Sequence, residues 1–141
     1  MDEVSALDIS ASGLVAQRLR LNVVAENLAN AETTRTADGG PYRRKVAIFG
    51  SDGGESFGQT LGAAQADAVR VLGVEESDEP ARMVHQPGHP DANAEGYVML
   101  PNINPVLEMV DLLGATRAYE ANITALQAAK SMAMKALEIG R

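Results

Sequence analysis

The last quarter of the chain constrains the fold more than any other feature. Asn104-Pro105 is a helix start, a capping amide followed by proline at the first helical position. Glu108 and Asp111 stand in the opening turns, where the helix dipole favours negative charge. An apolar 3-4 step then continues to Gly140, a residue suited to end it. The spacing predicts one helix of about 35 residues, roughly 50 Å long, in a chain of 141 residues. A globule of that size does not bury such a rod along its whole length. Its expected seam is Met109, Leu112, Thr116, Tyr119, Ile123, Leu126, Ala133 and Leu137, with Lys130 as a polar interruption. Around the seam lie Ala115, Ala118, Ala121, Ala125, Ala128, Ala129, Met132, Met134 and Ala136, and small residues on several sides let neighbours approach closely.

The other end has the same character. From Val4 to Ala31 the apolar residues keep a seven-residue step: Leu7, Leu14, Leu21 and Leu28 on one row, and Val4, Ala11 and Ala25 on its companion, broken only by Arg18. A second row, Ile9, Ala16, Leu19 and Val23, falls on nearly the opposite side of the helix. One partner does not cover both faces. The helix is either buried at the centre of a monomeric bundle or inserted between several chains of an assembly.

Composition follows the same division. The 45% apolar content with only 4% aromatics rests on Ala, Leu, Val and Met, which suits packed helices better than a ligand pocket. The absence of cysteine excludes disulfides, thiolate zinc sites and thiol nucleophiles. A net charge of -7 argues against nucleic acid and an anionic membrane surface, and nine acids against two bases lie in residues 50–101. The start is acidic, so no cleaved signal peptide is expected, and no apolar run is long enough to insert in a bilayer.

Between the helices, turn signals recur at Asp38-Gly39-Gly40-Pro41, Asp52-Gly53-Gly54, Glu79-Pro80, Pro87-Gly88-His89-Pro90 and Glu95-Gly96. Strands are expected at Lys45–Phe49, Ala68–Val74, Ala81–His85 and Tyr97–Leu100, and a mobile loop at Gly50–Gly62. The fold class is therefore α+β. Residues 1–31 and 102–141 form two terminal helices that meet, and residues 32–101 form a β-rich or extended middle module.

Motifs that carry chemistry fail one by one. His85 and His89 are four apart, but Pro87, Gly88 and Pro90 prevent the helix that would align them, and Asp91 is the one nearby third ligand. Asp91, Asn93, Glu95 and Gly96 imitate a calcium loop until its closing position, where Asn102 replaces the bidentate glutamate. No nucleophile elbow, phosphate loop or dinucleotide fingerprint occurs. Catalytic residues, metal and cofactor are all expected to be absent, and the chain is not expected to be an enzyme. Arg43-Arg44-Lys45, the one basic cluster, suits an acidic protein surface better than phosphates, and the acidic middle segment of a neighbouring copy or relative is its natural partner.

Several segments together carry a resemblance. Ala6–Leu14, Asn27-Leu-Ala-Asn-Ala31, Thr33-Thr-Arg-Thr36 and Asp38–Lys45 resemble the bacterial flagellar basal-body rod proteins, within the rod and hook axial family. So do Pro87–Ala92, Gly96–Val98, Pro101–Pro105, Glu108–Asp111, Arg117–Tyr119 and Ala121-Asn122. The Thr33–Lys45 stretch narrows the likeness to a proximal rod member, and residues 50–80 are the least distinctive.

The resemblance implies a structural subunit of the periplasm-spanning rod. Such a subunit polymerises with copies of itself and other rod subunits into the torque-transmitting shaft around the export channel. It is exported unfolded by the flagellar type III apparatus, without a cleaved signal. It also implies that the terminal helices pair as an inner coiled-coil domain. On that reading Leu7, Leu14, Leu21 and Leu28 meet Leu112, Tyr119, Ile123 and Leu126 within the chain, while Ile9, Ala16, Leu19 and Val23 face adjacent subunits. An acidic helical adaptor or chaperone binding an amphipathic partner helix in a groove is the alternative.

Overall fold

The computed structural model describes residues 2–51 and 68–140. Among the described residues, two long helices, α1 (Asp2–Ala29) and α2 (Pro105–Ile139), flank four strands: β1 (Lys45–Ser51), β2 (Val69–Glu76), β3 (Arg82–His85) and β4 (Tyr97–Leu100). The fold class is α+β, and each expected strand is present with an end shifted by at most two residues. Most of the expected Gly50–Gly62 loop lies outside the described residues, and Gly50 and Ser51 belong to β1. The strands form two separate two-stranded sheets, β1 with β2 and β3 with β4.

The chain divides into two compact units, each drawing on both helices and on part of the middle segment. One comprises Arg20–Ala47 and Val74–Leu113. Its buried apolar residues include Val23, Val24, Val98, Leu100 and a cluster of Ala31, Tyr42 and Ile103. Helix α1 ends where Asn30 turns back: its Nδ2 donates to the Glu26 carbonyl at 2.9 Å, and its Oδ1 accepts from the Thr33 hydroxyl. The following loop closes on itself through Tyr42 N–H to the Thr33 carbonyl and Thr36 N–H to the Gly40 carbonyl. Gly39 and Gly40, at φ of 84° and 82°, make that closure possible, because L side chains resist such angles.

Strands β3 and β4 pair antiparallel from Arg82 opposite Leu100 to His85 opposite Tyr97. The link between them consumes the groups that imitate a metal loop. Asn93 Oδ1 accepts the Glu95 and Tyr97 N–H groups, and the Asp91 carboxylate accepts from the Thr34 hydroxyl at 2.8 Å and pairs with Arg35 at 2.7 Å. His89 Nδ1 accepts the Asp91 N–H, while His85 meets the Tyr97 ring edge-on. Helix α2 starts as its sequence directs, with Asn104 Oδ1 capping the Val106 N–H at 3.0 Å.

The other unit comprises Met1–Leu19, Ile48–Gly73 and Gly114–Arg141. There α1 meets α2 at Gly13, where an added Cβ would lie 3.0 Å from Asn122 Nδ2. Ala16, Ala115 and Ala129 are its buried apolar residues among those described. The Ser12 hydroxyl donates to the Ile9 carbonyl and accepts the Val69 N–H, tying the start of β2 to α1.

Candidate functional site

Helix α2 carries two contrasting faces in its first turns, at about 100° per residue. The inner face belongs to Glu108 and the outer to Val106, Met109, Val110 and Leu113, an i, i+3, i+4, i+7 stripe. Glu108 is 1% exposed, whereas Val106 is 66% and Leu113 60% exposed. The charge is buried and the hydrocarbon is in water.

Buried Glu108 is stable because its partners are complete. Arg44 Nε donates to Oε1 at 2.6 Å, and Asn27 Nδ2 donates to Oε2 at 3.2 Å. Asn27, also 1% exposed, uses its whole hydrogen-bonding capacity. Its Nδ2 donates to Glu108 and to the Lys45 carbonyl, and its Oδ1 accepts from the Tyr42 hydroxyl and the Lys45 N–H. Asp111 adds longer pairs to Arg44 at 3.8 Å and to Arg20 at 3.6 Å. Burial, followed by the field of nearby Glu26, pushes the Tyr42 hydroxyl up to about 12. Lys45 pairs with Glu26 at 2.6 Å, which raises its ammonium above the usual range, and lies 5.6 Å from the Tyr42 ring centre. The network fastens α1, the Tyr42–Lys45 segment and α2 to one another.

That geometry gives partners or burial within the chain to two groups of the residues expected at an interface. Arg43, Arg44 and Lys45 were expected to meet a neighbouring subunit; Arg44 and Lys45 are engaged within the chain, and Arg43 is exposed with no ion pair among the described residues. Ala16 and Val23, also expected at an intersubunit interface, are 2% and 5% exposed, buried within the chain. Ile9 and Leu19 from the same row are half-buried.

Leu7, Leu14, Leu21 and Leu28 are half-buried too, as are Leu112, Tyr119, Ile123 and Leu126. Contacts between the helices include three from the adjacent seven-residue row of α1: Gly13 at Asn122, Arg20 at Asp111, Asn27 at Glu108. The most buried residues of α2 are Glu108, Ala115 and Ala129, while Met109 and Leu137 of the expected seam are exposed. Gly13 is small and Asn27 fully bonded, and the leucines of the neighbouring row are half-buried.

Sequence reasoning missed Asn27, Tyr42 and Glu108 as a group. The available signal was polarity out of place: Asn27 is one turn from Val23 and Val24 on an otherwise largely apolar helix, and Glu108 stands between Leu107 and Met109. A hollow of about 300 Å³ beside the network is lined by Tyr42, Arg43, Arg44, Ser77, Glu79, Met99 and others. Its Glu79 is bonded to Asn102, and its charges have both signs. Among the described residues no group of three or more His, Asp or Glu is placed to hold a metal ion, and no helix is long and apolar enough to cross a membrane.

A chain with a completed polar joint inside and an apolar stripe outside has the character of an assembling subunit. Comparison with known proteins agrees with that class. Residues 7–35 match the family described as Flagella basal body rod protein, and residues 94–139 match Flagellar basal body rod FlgEFG protein C-terminal. The chain is 47% identical to the flagellar basal-body rod protein FlgC of Bacillus subtilis, with both chains covered completely. It is 44% identical to the protein of that name from Salmonella typhimurium, with 98% of each covered. For that of Borreliella burgdorferi the identity is 42%, over 96% of this chain and 95% of the relative. The chain therefore belongs to the FlgC family of flagellar basal-body rod proteins, as a structural rod subunit. Nothing in these likenesses supports the helical adaptor.

Proposed function

We propose that this subunit polymerises through the faces of its terminal helices that its own fold leaves uncovered. Its partners are other rod subunits and further copies of itself, its role is mechanical and non-enzymatic, and its place is the periplasm-spanning rod. The exposed stripe Val106, Met109, Val110 and Leu113 carries this reading, because an apolar surface of this kind marks an interface. Ile9 and Leu19 of α1, with Arg43, supply a second face, while the leucine row Leu7, Leu14, Leu21 and Leu28 serves the seam with Leu112, Tyr119, Ile123 and Leu126 within the chain. Paired terminal helices form the inner coiled-coil domain in this reading, and the subunit reaches its place through the type III export apparatus without a cleaved signal. A heterologous contact that does not close extends as a tube.

Leu113→Asp tests the proposal. The side chain is exposed, so the variant should keep the helicity and melting of the parent while failing to restore motility to cells lacking the gene. A folded Leu113→Asp chain that supports full motility would remove the stripe from the assembly surface.

A further inference from the structure

Cysteine is absent from the chain, so methionine carries all of its sulfur. Every methionine among the described residues is exposed: Met83, Met99, Met109, Met132 and Met134 range from 51% to 59%. That is unusual for a side chain that normally fills core gaps. The five fall into two sets. Met83 and Met99 form a cross-strand pair on β3 and β4. Met109 lies in the Val106–Leu113 stripe, and Met132 and Met134 lie near the end of α2, close in sequence to the exposed Leu137 and Ile139.

We propose that oxidation of the exposed α2 methionines, Met109, Met132 and Met134, each at its own position, controls whether a free subunit joins an assembly, with hydroperoxides as the oxidant class. The inference rests on the reading of the α2 surface as an assembly face. A thioether lone pair attacks one peroxide oxygen; the S–O bond forms as the O–O bond breaks. The sulfur loses two electrons, and the departing oxygen takes the proton, so hydrogen peroxide leaves as water and an alkyl hydroperoxide as the alcohol. The product sulfoxide is polar and chiral, and a methionine sulfoxide reductase reverses it. In the free chain the new oxygen is hydrated and the fold is undisturbed, because these side chains are already in water. At an interface the same oxygen is dehydrated without a donor, which opposes docking. Assembly in turn shields the sulfurs, so oxidation and incorporation exclude one another.

Three measurements on the full chain test this. The first is limited hydrogen peroxide treatment followed by peptide mapping, circular dichroism, and sedimentation alone and with other purified rod proteins. Sulfoxide at the three α2 methionines, unchanged helicity and at least a tenfold loss of the sedimenting fraction are expected, with recovery after reductase treatment. The second is the triple variant Met109→Leu, Met132→Leu, Met134→Leu, which should keep assembling after peroxide, whereas Met83→Leu with Met99→Leu should give no protection. Normal assembly of the fully oxidised chain, or equal sensitivity of the triple variant, would overturn the proposal. The third is unoxidised Leu113→Asp: if it assembles normally, the assembly face itself is wrong, whereas its failure beside an oxidised chain that assembles sinks the control by oxidation alone.

Discussion

Within two turns of one helix, the inner and outer faces of α2 reverse the usual order of polarity. Inward, Glu108 is sealed against Asn27 and Arg44; outward, Val106, Val110 and Leu113 meet water. The inner face is saturated, since Asn27 has a partner for each donor and lone pair it offers. The outer face has no cover from the described residues of its own chain. A buried polar group is costly when any bond is missing, whereas an apolar surface is costly only until something covers it. The contrast separates what the subunit completes alone from what it needs others to complete.

Substitutions on the two faces should therefore fail differently. Val110→Asp combined with Leu113→Asp should abolish motility while moving stability by no more than about 0.5 kcal/mol, as for exposed sites generally; a large shift in the urea midpoint would show that the outer face also serves the fold. Glu108→Ala leaves Arg44 and Asn27 without their acceptor and should cost about 2–4 kcal/mol in denaturant unfolding. A loss below 0.5 kcal/mol would mean that water replaces the carboxylate, and the inner face is not sealed. Asn27→Ala should cost about 2–3 kcal/mol, because it strands the Tyr42 hydroxyl and the Lys45 N–H together.

A further effect concerns pH. Tyr42 titrates at about 12 in the fold against 10.0 ordinarily, so the fold favours the neutral phenol. Its contribution is complete below pH 10 and is lost as pH rises from 10 to 12. Tyr42→Phe should remove that alkaline loss from the stability profile, and a persistent loss would assign it elsewhere.

Gly13 bears on the same contrast from the other unit. A Cβ there would lie 3.0 Å from Asn122 Nδ2, at the end of a side chain that shifts readily. Gly13→Ala should change stability by less than about 1 kcal/mol, helix propensity offsetting the displacement, whereas Gly13→Leu should cost about 1–3 kcal/mol by overpacking. Equal tolerance of both would mean that the helices do not close on that position.

Much of the scaffold was legible before any coordinates. The Asn104-Pro105 start, the length of α2 and all four strands follow from rules acting over a few residues, and each of these is present. Which face of α1 turns inward was not legible. Both rows are apolar, and apolarity is what the pattern measures; side-chain size and hydrogen-bond capacity chose instead. Gly13 and Ala16 allow close approach, and Asn27 is acceptable inside only because Tyr42, Lys45 and Glu108 arrive around it. Arg44 and Lys45 read as an outward basic patch for the same reason: Glu108 and Glu26, which engage them, are 64 and 19 residues away.

By itself, then, the sequence determined the helices, the strands, the turns and the surplus of apolar surface, because propensity, capping and periodicity are local. Tertiary structure alone decided which surplus is buried within the chain and which is left for neighbours. That choice depends on groups far apart in sequence satisfying one another at the same point in space.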